Sequence, residues 1–314
     1  MIEKEKNIVF ICWAKYQRRS EVLAKVLGAE ILFLPNIFEN STLRIFDYLI
    51  KFLRTFKFVF LRKPNLVFIQ SPPTFICLVP LLFRIEYIVD IHNTTLQSIW
   101  NKEPLLRFYL GKAKKIIVHN SDMLSKALKY KDRNDILIVN DPLLRINNDT
   151  KRENNKITFI CSFAEDEPLE VILEVIERLP NYHFFITANV NKLGPSLRNR
   201  FFSVSNLTLT GFLSLKKYHD LLLSSRLLIV LTNRDGCQPS GACEAISSNT
   251  GLILSRTSLT VSLFGESAIL VNNNALEIIK AIENNIHKSF NHEVFFNQWN
   301  NRVSSEIDKL KSNG

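Results

Sequence analysis

The sequence predicts an α/β protein made of two doubly wound, Rossmann-like domains that face each other across a cleft. Short, continuous apolar runs alternate with segments of helical apolar spacing along the whole chain. Continuous apolar strands are typical of parallel sheets that helices cover on both faces. A length of 314 residues exceeds the usual single core, which favours two domains.

The first half contains six candidate strands, followed by a linker. The strands are 7–12, 29–34, 65–70, 87–92, 115–120 and 136–140. Between them, helical spacing is clearest in RSEVLAKVL and SDMLSKALKY. The polar, asparagine-rich segment 141–156 interrupts the alternation and is typical of a linker.

The second half repeats the pattern. Its candidate strands are 157–163, 182–188, 206–211, 227–232, 251–255 and 267–271. The clearest helix covers 168–179, with Pro168 at a favoured first-turn position. We therefore expect domains at 1–145 and 146–290, with an amphipathic tail of about 291–314 that packs back on the first domain. Ligands of such sheets bind beyond the carboxyl ends of the strands.

The composition limits the kinds of molecule that the protein is expected to bind. The net charge of +10 predicts an anionic partner, either anionic lipid or a phosphorylated molecule, since no nucleic-acid reader motif is present. With nine glycines there is no glycine-rich dinucleotide loop, and the five scattered cysteines form no zinc pattern, so we expect no metal and no cofactor. The start lacks the layout of a signal peptide and no apolar run spans a bilayer, which predicts a cytoplasmic protein.

The stretch TNRDGCQPSGACEAI, which follows strand 227–232, predicts a site for a nucleoside diphosphate. We expect Ser240 to cap a helix and Gly241 to admit a ligand close to the backbone, so that a diphosphate accepts hydrogen bonds from the helix amides. Glu244, in the first turn, would accept from two ribose hydroxyls. The alternative is a capping box, although Ser240 and Glu244 stand one residue too far apart for that motif.

The first half has its own candidates at strand ends. His92 ends the strand YIVDIH and can bond a sugar hydroxyl or move a proton, with Asn93 as its companion. His119 holds a similar place one strand later. The alternative for each histidine is a structural role. After the first strand, three polar residues could reach a charged acceptor or the donor phosphates, or form a solvated helix start: Arg18, Arg19 and Ser20.

The loop SFAEDEP follows the first strand of the second half. One interpretation has Ser162 and Phe163 facing the cleft, with an acid of this loop binding sugar hydroxyls. The other has Glu165, Asp166 and Glu167 stabilising the start of the next helix through its dipole.

Over about 157–290 the order of these segments resembles the nucleotide-sugar half of bacterial GT-B glycosyltransferases of the GT4 type. Glu244 and Ala245 match the start of that family's EA-x-x-x-G-x-P-x-I-x-S segment, which reads EAISSNTGLILS here. Arg234, Asp235 and Gly241 are similar to a subgroup with T-x-R-D…G-x-x-E-A. In the first half, DIHN is similar to the family's D-x-H strand end.

The chain also departs from that pattern. The family's first glutamate would fall at Gly236, beside Asp235, and the basic residues after the first strand of the second half are missing. Arg234 could replace the lost phosphate charge or pair with Asp235. The resemblance implies a metal-independent, retaining transfer from a nucleotide-diphospho-sugar to a glycan or lipid-linked acceptor in bacterial surface polysaccharide synthesis. It places His92 and Asp235 as catalytic residues, and six residues at the donor: Ser162, Phe163, Arg234, Ser240, Gly241 and Glu244.

Two other functions stay open. One is a non-catalytic GT-B-like binding or scaffold subunit that partners an active glycosyltransferase, which the two departures favour. The other is a sugar epimerase on the same two-domain plan.

Segment 41–65 predicts an amphipathic helix that lies on an anionic membrane surface. It holds six basic residues and one acid, Asp47, among many Leu, Ile and Phe. On a helix, Arg44, Asp47, Lys51 and Arg54 form one polar stripe, and the apolar arc that remains is wider than one packed face needs. This would place the protein peripherally on the inner face of the cytoplasmic membrane. The alternative is a helix sandwiched between the sheet and its neighbours.

Overall fold

A computed structural model describes residues 7–38, 40–97 and 99–312. The chain divides into two compact units: Met1–Pro142 with Arg302–Gly314, called unit 1, and Leu143–Asn301, called unit 2. Each unit contains one six-stranded sheet, and every strand pair in both sheets is parallel. The α/β class with two doubly wound sheets is confirmed.

The unit 1 sheet has the order β2-β1-β3-β4-β5-β6. Its strands are β1 (Ile8–Cys12), β2 (Glu30–Phe33), β3 (Leu66–Ser71), β4 (Glu86–Ile91), β5 (Lys115–Val118) and β6 (Ile136–Ile138). Its helices are α1 (Arg18–Leu27), α2 (Arg44–Arg62), α3 (Leu78–Leu82), α4 (Asn93–Gln97), α5 (Leu106–Lys112) and α6 (Ser121–Ala127). The chain winds outward from β1 in both directions, which creates the reversal of strand order where such sheets bind ligands.

The unit 2 sheet has the order β12-β11-β10-β7-β8-β9. Its strands are β7 (Lys156–Phe159), β8 (His183–Ile186), β9 (Leu207–Leu209), β10 (Leu227–Val230), β11 (Gly251–Ser255) and β12 (Ile269–Val271). Its helices are α7 (Leu169–Arg178), α8 (Pro195–Ser203), α9 (Leu215–Ser224), α10 (Ser240–Ser247), α11 (Ser258–Phe264) and α12 (Ala275–Asn285). The reversal here lies between β7 and β10.

All twelve predicted strands are present in the described part of the chain. Most of them carry a short apolar run, which is typical of strands buried on both faces. The strand predicted over 157–163 ends earlier, at Phe159, and Phe163 takes a positive φ of 56°, outside the strand region. The predicted tail is one helix, α13 (Glu293–Ser312), which begins in unit 2 and ends in the segment assigned to unit 1.

Helix α2 has its polar row turned inward, which corrects the predicted stripe. Asp47 and Lys51 are buried, whereas Arg44 and Arg54 are exposed. The Lys51 ammonium lies 2.9 Å from Asp47 Oδ2 and donates to Asn36 Oδ1 at 2.5 Å. Because partners from other parts of unit 1 satisfy this pair, the polar row can face the core.

Candidate functional site

Five charged or titratable side chains meet at the carboxyl edge of the unit 1 sheet. Arg19, in the first turn of α1, donates to both oxygens of Asp90 at 2.9–3.2 Å and to Asp141 at 2.6 Å. His92 follows β4 and His119 follows β5, and their rings pack edge to face with centroids 4.7 Å apart. Parallel strands end at one edge of a sheet, so residues from four separate βα connections converge here.

The charges in this cluster hold one another in defined states. Burial alone would raise the pKa of Asp90, but Arg19 overcomes that effect and holds the pKa of this carboxyl well below its usual range. The pKa of Asp141 is lowered in the same way. Burial and the neighbouring Arg19 lower the pKa of His119, although Asp141 opposes them. At neutral pH, Arg19 and the two aspartates are therefore charged and the His119 imidazole is neutral.

Arg19 and Ser20 do not lie where the sequence prediction needs them. Arg19 is 3% exposed and Ser20 is fully buried, so neither can reach an acceptor or a phosphate. The reason is that a guanidinium with two carboxylate partners is stable inside the protein, where its planar fork binds in a bidentate manner. Arg18, by contrast, is half-buried. Arg19 is therefore the ion that organises the edge.

His92 and Asn93 keep polar atoms that no described residue satisfies. His92 Nε2 lies 3.4 Å from Asp90 Oδ2 without the geometry of a hydrogen bond. His119 Nε2 and Asn93 Oδ1 are likewise buried without a hydrogen-bond partner among the described residues. Buried polar atoms are normally paired, so such a group of unpaired atoms at a strand edge is suited to bind hydroxyl groups.

Asp90, His92 and His119 also have the composition of a metal site, since one ligand atom from each lies within 4.8 Å of the others. However, Arg19 already donates to both oxygens of Asp90. A cation would have to share that carboxylate with a fixed guanidinium, and like charges repel at this distance. The expectation that the protein needs no metal remains a prediction.

In unit 2, helix α10 starts at the carboxyl edge of the sheet with open amides. Its N-cap is Pro239, without a side-chain cap, so the prediction that Ser240 caps the helix is wrong; Ser240 is the first helical residue. No described residue accepts a hydrogen bond from the backbone N–H of Ser240 or Gly241. A Cβ on Gly241 would lie 2.9 Å from Ile160 Cγ2 and 3.1 Å from Val230 Cγ2. The glycine therefore lets α10 pack directly on the strand ends.

Glu244 is the fifth residue of α10 and lies in its second turn, not the first as predicted. It is half-buried, and its Oε2 accepts a short hydrogen bond from the hydroxyl of Tyr218 in α9. This bond fixes the carboxylate at the edge of the sheet. Tyr218 had no sequence signal, because its partner lies 26 residues away on another helix.

Both carboxylate oxygens of Asp235 accept hydrogen bonds from neighbouring residues. Its Oδ1 accepts from the Gly236 N–H at 2.9 Å, and its Oδ2 accepts from the Ser258 hydroxyl at 3.0 Å at the start of α11. These bonds, that of Ser258 first, lower the pKa of Asp235. It is therefore an ionised, exposed carboxylate that can act as an electrostatic group but not as a general acid near neutral pH. The backbone N–H of Arg234, beside it, donates to Thr232 Oγ1.

The loop after β7 is closed on itself by Glu167. The Glu167 carboxylate accepts from the backbone N–H of Ser162 and of Ala164, each at 3.0 Å, and from the Ser162 hydroxyl at 3.1 Å. Phe163 does not face a ligand: it is buried and packs on Phe201, with ring centroids 5.5 Å apart. Burial of an aromatic ring is strongly favourable, which explains why the prediction for Phe163 fails. Glu167 thus serves the local backbone, whereas Asp166 Oδ2 accepts from the Thr232 hydroxyl at 2.7 Å.

No known family matches the chain, and no curated protein matches it. Solved structures do match. The chain is similar to Anabaena HepE, determined in complex with UDP and glucose, with a TM-score of 0.67, 9% identity and coverage of 98% of this chain and 95% of that one. It is also similar to the UDP-GlcNAc 2-epimerase of Methanocaldococcus jannaschii, with a TM-score of 0.64, 15% identity and coverage of 98% of this chain and 100% of that one. For the sucrose-phosphate synthase of Thermosynechococcus elongatus the TM-score is 0.65, the identity 12%, and the coverage 98% of this chain and 95% of that one. At such identities the likeness establishes the fold, which is GT-B.

Proposed function

We propose that this protein is a glycosyltransferase that takes a sugar from a nucleotide-diphospho-sugar. The observation that carries the proposal is the start of α10, where the open amides of Ser240 and Gly241 precede the fixed carboxylate of Glu244. Amides at a helix N-terminus bind phosphates, and a carboxylate one turn later can accept from both ribose hydroxyls. Support also comes from neighbours of the same fold that were determined with UDP bound.

In this proposal, unit 2 stabilises the leaving diphosphate. The α10 amides and the Arg234 guanidinium would oppose the negative charge that develops as the glycosidic bond to the diphosphate breaks. Unit 1 contributes the unpaired atoms of His92 and Asn93, which would hold hydroxyl groups of the sugar or acceptor. The anomeric configuration would be retained, with Asp235 as a nearby anion. The acceptor would be a glycan or lipid-linked glycan of bacterial surface polysaccharide synthesis, with a partner glycosyltransferase as a further candidate contact.

A sugar epimerase is the second candidate, because an epimerase shares this fold over 98% of the chain. In that case a nucleotide-sugar would change configuration without any acceptor, through proton transfer at a sugar carbon. The His92–His119 pair, with His119 neutral, is the feature of unit 1 that favours it.

The experiment begins with thermal shift on a panel of UDP-, GDP-, ADP- and dTDP-sugars, followed by NMR of the sugars that bind. Glu244→Gln should reduce the shift, whereas Glu266→Gln, at an exposed position of unit 2, should keep it. Release of nucleotide that depends on acceptor identifies a transferase, and a new epimer without acceptor identifies an epimerase. Binding without turnover would point to a scaffold subunit. A panel in which no nucleotide-sugar raises the melting temperature would refute the proposal.

A further inference from the structure

Helix α2 exposes its apolar side. Four residues spaced by four, namely Asp47, Lys51, Thr55 and Val59, are buried, so the opposite face must point outward. The inward row is held by specific bonds: the Ile37 N–H donates to Asp47 at 2.8 Å, and the Trp13 indole donates to Thr55 at 3.0 Å. The orientation of the helix is therefore set by these polar contacts together with Val59 and the partly buried Tyr48, Phe52 and Phe58, which pack against the unit 1 core.

The outward face is large and apolar. Six of its side chains are between 55% and 77% exposed: Ile45, Phe46, Leu49, Leu53, Phe60 and Leu61. The surface continues onto α3, because Phe56 packs on Phe83 with centroids 4.8 Å apart and Leu82 is 58% exposed. Contiguous apolar patches of this kind mark interaction sites on proteins. The helix is thus not sandwiched between neighbours.

The charge on this surface has one sign. Arg54 and Lys57 are exposed on α2, and no described acid forms an ion pair with either. The sole acid of the helix, Asp47, is buried against Lys51. Burial raises the pKa of Asp47, but the Ile37 amide and Lys51 together lower it, so its charge is internal and neutralised. Arg44 and Lys63 add further exposed basic groups at the helix ends, whereas Arg62 forms an ion pair with Glu30 at 2.7 Å.

We propose that the outward face of α2, with Leu82 of α3, docks on the surface of an anionic lipid bilayer. Aromatic and aliphatic side chains would enter the boundary between headgroups and acyl chains, while Arg54 and Lys57 contact lipid phosphates. The helix would lie in the plane of the surface; no helix in the described part of the chain is both long and apolar enough to cross a membrane. This surface is independent of the proposed activity, since none of its residues belongs to the candidate site.

Flotation of the full chain with vesicles tests the proposal. Binding to phosphatidylcholine vesicles containing about 30% phosphatidylglycerol should be strong at low salt, weaken at about 0.5 M NaCl, and be slight on phosphatidylcholine alone. The double variant Leu53→Ser/Lys57→Gln should lower the partition coefficient on the anionic vesicles at least about fivefold, the loss expected from one basic contact alone.

The matched control is Leu276→Ser/Lys280→Gln, which makes the same changes at the same spacing on the exposed side of α12 in unit 2. It should bind vesicles like the wild type. Both pairs are exposed, so the variants should melt like the wild type.

Equal binding by the Leu53/Lys57 variant and the wild type would overturn the proposal, as would equal binding to neutral and anionic vesicles. Light scattering gives a further outcome: a wild-type dimer that this variant converts to a monomer, without vesicle binding, would show that a second copy covers the face. That result also overturns the lipid proposal.

Discussion

Arg19→Gln removes the guanidinium that pairs with Asp90 and Asp141 and leaves two carboxylates without a cation. Asp90 is fully buried, and three of the four hydrogen bonds from Arg19 go to it. Removing one partner of a buried ion pair costs about 3–5 kcal/mol, because the remaining charge stays desolvated. For a unit of this size, we expect the melting temperature to fall by roughly 6–20 °C.

The cost should depend on pH. In the wild type the lowered pKa of Asp90 contributes stability that is present above about pH 4, the unfolded value, and is lost as pH falls through the folded pKa. In the variant, Asp90 is buried without its cation, so its pKa rises and it takes up a proton more readily. The stability gap between variant and wild type should therefore narrow from pH 7 to about pH 5.

Urea denaturation at the two pH values measures both effects. Arg19→Gln/Asp90→Asn should recover part of the loss because it removes the buried charge, and Arg18→Gln, at the half-buried neighbour, should change stability little. The assignment of Arg19 as the organising ion would be refuted if the free energies of unfolding of the wild type and Arg19→Gln differed by less than about 1 kcal/mol at pH 7. A difference that did not change with pH would refute it as well.

Three further outcomes are expected. Glu244→Gln should weaken donor binding by about 10–100-fold in calorimetry without lowering the melting temperature, since a charged hydrogen bond contributes about 1.5–3 kcal/mol; Tyr218→Phe should weaken it less. His92→Ala should lower turnover at saturating donor while leaving donor affinity unchanged, and an unaltered rate would remove it from the site. Gly241→Ala should cost about 1–3 kcal/mol in urea denaturation, because the new methyl group overlaps an isoleucine, whereas Gly111→Ala, with no atom closer than 3.9 Å, should be neutral or stabilising.

The strands and their order were predictable, whereas the partners of the charged side chains were not. Strands such as 227–232 and 251–255 can be predicted because each carries its own apolar run, which is a local signal that depends on no distant residue. Arg19 looks like a solvent-exposed residue in the sequence. Its partners lie 71 and 122 residues further along the chain, and only the fold brings them to it.

The same limit explains α2. Its spacing predicts an amphipathic helix and a basic surface, but periodicity cannot show which side faces the sheet. An amphipathic helix normally packs with its apolar face toward the core. Here Trp13, Asn36 and the Ile37 amide, all outside the helix, satisfy the polar row and allow it to face the core. At the candidate site, Glu244 was recognisable from its motif, but its Tyr218 partner was not.

The division of the chain has a consequence for biosynthesis. Unit 1 is assembled from two stretches, and the second, from Arg302 onward, does not exist until the ribosome has added all of unit 2. Val303, Ile307 and Leu310 of that stretch are buried in the finished protein. While unit 2 is being translated, the part of unit 1 on which this stretch packs therefore stays exposed to water. Unit 2, one unbroken stretch, can complete its core first, so unit 1, most of which is translated before unit 2, finishes folding last.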